Sequence, residues 1–200
     1  MTALEATLHR VANDLAELEV PFALVGGLAV SARTEPRFTR DADLAVAVAD
    51  DAAAEALIRD LHARGYHIEA LVEQDAVGRL ATARLLADLG SAAPIVDLLF
   101  ASSGIEPEVV RAAEVVELLP GLHLRLATTG HLIALKVLAR DDESRPQDLG
   151  DLRALLRVAS PTDVAVARAA LEQIAARGYG RQRDLQAGLA DLLEARSSSA

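Results

Sequence analysis

Residues 24–46 read LVGGLAVSARTEPRFTRDADLAV, and the fold is decided by how this stretch changes period. The run Phe22–Val25 is apolar and closes on Gly26-Gly27, which reads as a core strand entering a tight turn before a small helix over 28–33. Residues 34–39 are polar, include Pro36 and form a loop. From Asp41 the pattern repeats every two residues. Asp41, Asp43, Ala45 and Ala47 share one face, and Ala42, Leu44, Val46 and Val48 share the other, which predicts a strand. Two carboxylates spaced by two on a strand project from the same face and offer hard oxygen donors a few ångströms apart, a set suited to magnesium.

Working outward, Leu4, Leu8, Val11, Leu15 and Leu18 recur at helical spacing and predict a helix that Pro21 ends. Asp50 and Asp51 can cap a helix carrying Leu57 and Leu61, with Gly65 after its end. Strands are expected at 66–72, 79–86 and 94–100, the last two joined by a turn using Asp88 and Gly90. A short helix over 107–113 and a hairpin around Pro120-Gly121 follow. Thr128 or Thr129 caps a helix through Arg140, and helices are expected at 147–158, from Ser160-Pro161 to near Gly178, and onward toward Glu194. The expected class is α+β: a small mixed twisted sheet with flanking helices over 1–127, a C-terminal helical region packed on it over 128–196, and a frayed tail at 197–200.

The composition removes several chemistries. With 200 residues and 52% hydrophobic side chains the chain can build one real core. It has no cysteine, which excludes disulfides, a thiol nucleophile and cysteine-ligated zinc. The five histidines lack ligand-like spacing and are expected at the surface or at edges. No apolar run approaches the roughly 20 residues that cross a bilayer, and the first residues lack a signal-peptide core, so a cytoplasmic protein without membrane contact is expected. A net charge of −10 argues against a broad nucleic-acid surface. A local patch of Arg33, Arg37, Arg40, Arg140 and Arg145 could still receive an RNA end. Lys136 is the sole lysine among 20 basic residues. Leu132, Leu135 and Leu138 surround it, so its charge must leave at a helix edge or meet an anion.

A third carboxylate, Asp97, lies in PIVDLLF (94–100), where apolar neighbours make an isolated ionised group costly. If its strand neighbours the Asp41–Asp43 strand, three acids converge, and divalent cations would relieve their repulsion. Phosphoryl transfer gives such a trio a purpose, because two metals can activate a hydroxyl and neutralise charge on a triphosphate. Gly26-Gly27 lets backbone N–H groups approach phosphate oxygens. The plainer readings are an acidic pair that caps or edges a strand, and glycines that merely permit positive φ.

Together, Gly-Gly, a loop, Asp-x-Asp and a third Asp on a later strand resemble the nucleotidyltransferase superfamily with the polymerase-beta-like minimal fold. HLIALKVLAR and RPQDLGDLRALL downstream are similar, more narrowly, to the nucleotidyltransferases of abortive-infection and type IV toxin–antitoxin systems. The resemblance implies that Gly26 and Gly27 hold a nucleoside triphosphate, that Asp41, Asp43 and Asp97 bind Mg2+, and that Lys136 reaches the triphosphate. Arg145, Asp148 and Asp151 match its Arg-Pro-x-Asp-Leu element and a further helix acid. On their own chemistry, Arg40 and Arg37 sit where guanidinium forks meet phosphates or the acids, although Arg37 fits a solvent-facing loop equally well. Asp148 and Asp151, three apart, share a helix face and are expected to brace Lys136 or Arg145, or to position the acceptor. The resemblance also implies ATP, CTP, GTP or UTP as donor, RNA, protein or an antibiotic as acceptor, and often an antitoxin partner. Two alternatives remain: a nucleotide-binding or protein-interaction module without turnover, and an antibiotic nucleotidyltransferase.

Overall fold

Thr2 and Glu5 bond each other's backbone amides, a reciprocal cap, and start α1 (Ala3–Glu17), whose buried face carries Leu8, Val11 and Leu15. The computed structural model describes residues 2–36, 39, 41–87, 94–141 and 146–197. After α1 come β1 (Phe22–Val25), α2 (Gly26–Arg33), β2 (Ala42–Val46), α3 (Asp51–Ala63), β3 (Tyr66–Gln74), β4 (Arg79–Ala87) and β5 (Ile95–Leu99). Then follow α4 (Glu106–Ala112), β6 (Glu114–Leu119) and β7 (Leu122–Leu126). The rest is helical: α5 (Thr129–Ala139), α6 (Pro146–Val158), α7 (Pro161–Ala176) and α8 (Leu185–Ser197).

The strands form one seven-stranded sheet in the order β3-β4-β5-β2-β1-β7-β6. It is mixed: β2 runs parallel to β5 and β1 to β7, and the other neighbours are antiparallel. Flanked by helices and followed by a helical region, this is the α+β architecture the sequence predicts. Register partners across strands share a face. One row, Ala83, Leu98, Leu44 and Leu24, is almost wholly buried, and each leucine in it stabilises the fold by about 1.5–3 kcal/mol. The neighbouring row on the opposite face is Ala70, Arg84, Asp97, Asp43 and Val25. One face of the sheet is therefore core, and the other carries charge.

The helical region is tied to the sheet by specific contacts. A Cβ on Gly130 would lie 2.6 Å from the Asp163 carbonyl oxygen and 2.7 Å from Val166 Cβ, so glycine lets α5 and α7 touch. Arg183 donates to the carbonyls of Val137, Leu138 and Arg140, satisfying the open end of α5. Arg177 pairs with Glu108 at 2.7 Å and also donates to the Gly104 carbonyl. The Tyr179 ring packs so closely on Gly104 that a Cβ there would lie 2.5 Å from it.

Several local expectations change. α2 starts at Gly26 rather than Leu28, because Gly26 takes φ +64° and turns the strand directly into the helix. The last helix runs past Glu194 to Ser197, and Arg196 donates to the Leu156 carbonyl at 2.7 Å. His131 is buried rather than at the surface, and its Nδ1 bonds the Thr128 hydroxyl at 2.8 Å. Arg33 does not join a phosphate-facing patch: it binds the Leu126 and Ala127 carbonyls and pairs with Glu114 at 2.7 Å. The turn expected at Asp88 and Gly90 lies outside the described residues. Among the described residues, no helix is long and apolar enough to cross a membrane.

Candidate active site

The site grows from the junction of β1, α2 and β2. Val25 pairs with Asp43, which brings the first helical residue, Gly26, against the Asp43 side chain. A Cβ on Gly26 would lie 1.8 Å from Asp43 Oδ2, closer than any side chain permits, and φ +64° also disfavours L residues. Glycine is thus required here for both space and backbone conformation. The next amide, that of Gly27, acts on the Asp43 carboxyl in the opposite sense to burial and lowers its pKa. No side chain caps the start of α2.

On the other side of β2, Asp43 pairs in register with Asp97 of β5. Asp97 is buried. Burial above all, then the Asp97 charge, pushes the Asp43 carboxyl up to about 6; Asp41 adds to the effect, and Lys136 and the Gly27 amide oppose it. Asp97 in turn meets Arg84, the next residue in the row. Arg84 Nε donates to Oδ1 at 2.9 Å and Nη2 to Oδ2 at 2.7 Å, a two-pronged bond.

Over this face stand α5 and α6, enclosing a cleft of about 460 Å³ with Asp43, Arg84, Asp97, Lys136 and Asp148 in its lining. Lys136 Nζ donates to Asp148 Oδ1 at 2.6 Å and lies 2.8 Å from Asp151 Oδ2. Both acids are buried, and Asp148 Oδ2 has no hydrogen-bond partner. The sole lysine is therefore held as a fixed ammonium at the cleft, within electrostatic reach of Asp43.

The structure brings together Gly26, Gly27, Asp43, Asp97, Lys136, Asp148 and Asp151, and Asp41 lies near enough to act on Asp43. Arg37, Arg40 and Arg145 lie outside the described residues. Two contributions are absent from the sequence reading. Arg84 is one; the alternation of Thr82 and Arg84 against Ala83 and Leu85 within β4 was its signal. The other is buried Glu106, whose Oε1 accepts from the backbone amides and hydroxyls of Ser102 and Ser103 at 2.7–2.9 Å. The spacing Ser103-x-x-Glu106 resembles a capping box and could have flagged it.

The donor chemistry fits a divalent cation. Asp41, Asp43 and Asp97 are hard oxygen donors; burial first, then the Asp97 and Asp41 charges, raises the Asp43 carboxyl, a penalty that a bound cation would offset. Among the described residues, no three acidic or histidine side chains are gathered at metal-binding spacing, and Asp97 has both oxygens turned to Arg84.

A family model described as "Nucleotidyl transferase AbiEii toxin, Type IV TA system" matches residues 10–198. Among solved structures, the chain is similar to an antigenic nucleotidyltransferase-like protein from Paracoccidioides brasiliensis, at 17% identity and a TM-score of 0.60 over 98% of this chain and 89% of that one. A crystal structure of ANT(2")-Ia in complex with adenylyl-2"-tobramycin is similar at 17% identity and a TM-score of 0.57, over 86% of this chain and 98% of that one. The solution structure of this antibiotic-resistance factor gives 20% identity and a TM-score of 0.56 over 88% and 96%. At such identities the likeness is one of fold. No curated protein matches the sequence.

Proposed function

This chain belongs to the AbiEii nucleotidyltransferase family, and from that membership we propose that it moves a nucleoside monophosphate from a nucleoside triphosphate to a hydroxyl of RNA or protein, releasing pyrophosphate. The observation that carries this reading is the registered pair Asp43–Asp97 set against Gly26, a glycine that Asp43 leaves no room to replace.

In this reading Asp41, Asp43 and Asp97 hold magnesium, which supplies charge neutralisation on the triphosphate and lowers the pKa of the acceptor hydroxyl. Gly26 and Gly27 present amides to phosphate oxygens at the start of α2. Lys136, fixed by Asp148 and Asp151, supplies a positive charge to the same phosphates. Arg40 and Arg145 are assigned to the triphosphate and Arg37 to a supporting role, as the resemblance and the loop sequence suggest. Residues 1–127 form the catalytic core, and 128–196 form the helical region that contributes Lys136. We assign the protein a toxin-like role in the cytoplasm, restrained by an antitoxin.

The test is incubation of the purified protein with each α-labelled nucleoside triphosphate and total cellular RNA or protein, with and without magnesium. Magnesium-dependent label transfer, lost in Asp41→Ala, is the expected result. Nucleotide binding without pyrophosphate release would favour a module without turnover, and transfer to an aminoglycoside in preference to RNA or protein would change the acceptor.

A further inference from the structure

Asp97 faces two demands. As a buried carboxylate it needs a positive partner in the resting protein, and as the third acid of the proposed metal site it must be available to a cation. Arg84 meets the first demand. Its planar fork takes both Asp97 oxygens, at 2.9 and 2.7 Å, where a lysine ammonium would act as a point charge. The row runs Arg84, Asp97, Asp43, so Arg84 lies on the side of Asp97 away from Asp43 and draws that carboxylate away from its acidic neighbour. The exposures are unequal: the Asp97 side chain is 9% exposed and that of Arg84 43%. The guanidinium can therefore leave into the cleft without unpacking the core. Glu69 on β3, an acid outside the proposed metal set, is within electrostatic reach of Arg84 and can receive it.

We infer that Arg84 is a positioning residue, a resident counter-cation that holds both oxygens of Asp97 and competes with a divalent cation for that acid. Arg84 has this role only if Asp41, Asp43 and Asp97 hold the metal, as proposed above. Free metal then binds weakly, and Asp97 joins the site as Arg84 lets go.

Mn2+ binding to the full chain without nucleotide, followed by the electron paramagnetic resonance of free Mn2+, tests this directly. Arg84→Met removes the charge and keeps the length, and should bind Mn2+ about tenfold tighter than wild type. Arg84→Lys keeps the charge and should fall between the two. Arg59→Met, which removes an exposed charge on α3, should stay within about twofold of wild type. In an Asp97→Asn background, Arg84→Met should change affinity by less than about twofold. Unchanged or weaker binding by Arg84→Met overturns the role, as does a gain that persists with Asn at 97, which would be a diffuse charge effect. If neither wild type nor Arg84→Met shows binding that Asp43→Asn removes, the metal reading itself falls. Far-UV circular dichroism checks folding, and Arg84→Gln replaces the methionine variant if that one does not fold.

Discussion

Replacing Asp43 by Asn should stabilise the metal-free protein at neutral pH while removing its activity. In the folded protein the Asp43 carboxyl is pushed up to about 6, whereas its ordinary value is 3.8. The folded state thus favours the protonated acid. Below about pH 4 both states are protonated and nothing is lost; between about pH 4 and 6 the unfolded chain ionises first and stability falls; above about pH 6 the loss is complete. That difference corresponds to on the order of 3 kcal/mol. For a chain of this length it is roughly 6–12 °C in melting temperature. Asn keeps the shape and carries no charge to bury. Thermal melts in EDTA should therefore show Asp43→Asn well above wild type at pH 7.5 and level with it near pH 4. Saturating magnesium should raise wild type alone, because it binds the ionised acids. Equal melting temperatures at pH 7.5 in EDTA, or a less stable variant, would refute the idea that Asp43 is a strained acid awaiting a cation.

Gly26→Ala should cost about 2–4 kcal/mol in urea titrations, from positive φ and the 1.8 Å approach to Asp43. Only the part due to the Asp43 carboxylate should return in the double variant with Asp43→Ala, which leaves the 2.7 Å approach to the Asp43 Cβ, and full stability of the single variant would contradict the packing described. Lys136→Met leaves Asp148 and Asp151 buried without their ammonium and should lose about 3–5 kcal/mol at neutral pH. Adding Asp148→Asn and Asp151→Asn should recover most of that stability and none of the activity, as denaturation and label transfer can show. Glu106→Gln should weaken the protein by about 1–3 kcal/mol. It should also raise KM for the nucleotide more than it lowers kcat, since Glu106 holds Ser102 and Ser103 at the cleft.

What the sequence made legible follows from how local the signal was. The change to period two at Asp41, the glycines that close β1 and the Ser160-Pro161 helix start are written in adjacent residues, and the structure has a strand, an abrupt strand-to-helix change and a helix there. That β5 lies beside β2 is not local, yet Asp97 among apolar residues pointed to a partner, and the register supplies the site of Asp43. Arg84 escaped notice because its significance depends on the antiparallel register of β4 with β5, which no spacing encodes. Glu106 differs: the Ser103-x-x-Glu106 spacing is local, but that its carboxylate is buried and also takes the Ser102 amide and hydroxyl is a property of the folded bend. Arg33 was misjudged because a charged residue at a helix end looks solvent-facing until β7 brings carbonyls to it.

The central claim is that the α-phosphate moves. Parallel reactions with α-labelled and γ-labelled nucleoside triphosphate, magnesium and cellular RNA or protein measure this directly. Acceptor labelled only from the α position, with label from the γ position appearing in pyrophosphate and both lost in Asp43→Asn, is the predicted result. Acceptor labelled from the γ position would make the protein a phosphotransferase and contradict nucleotidyl transfer.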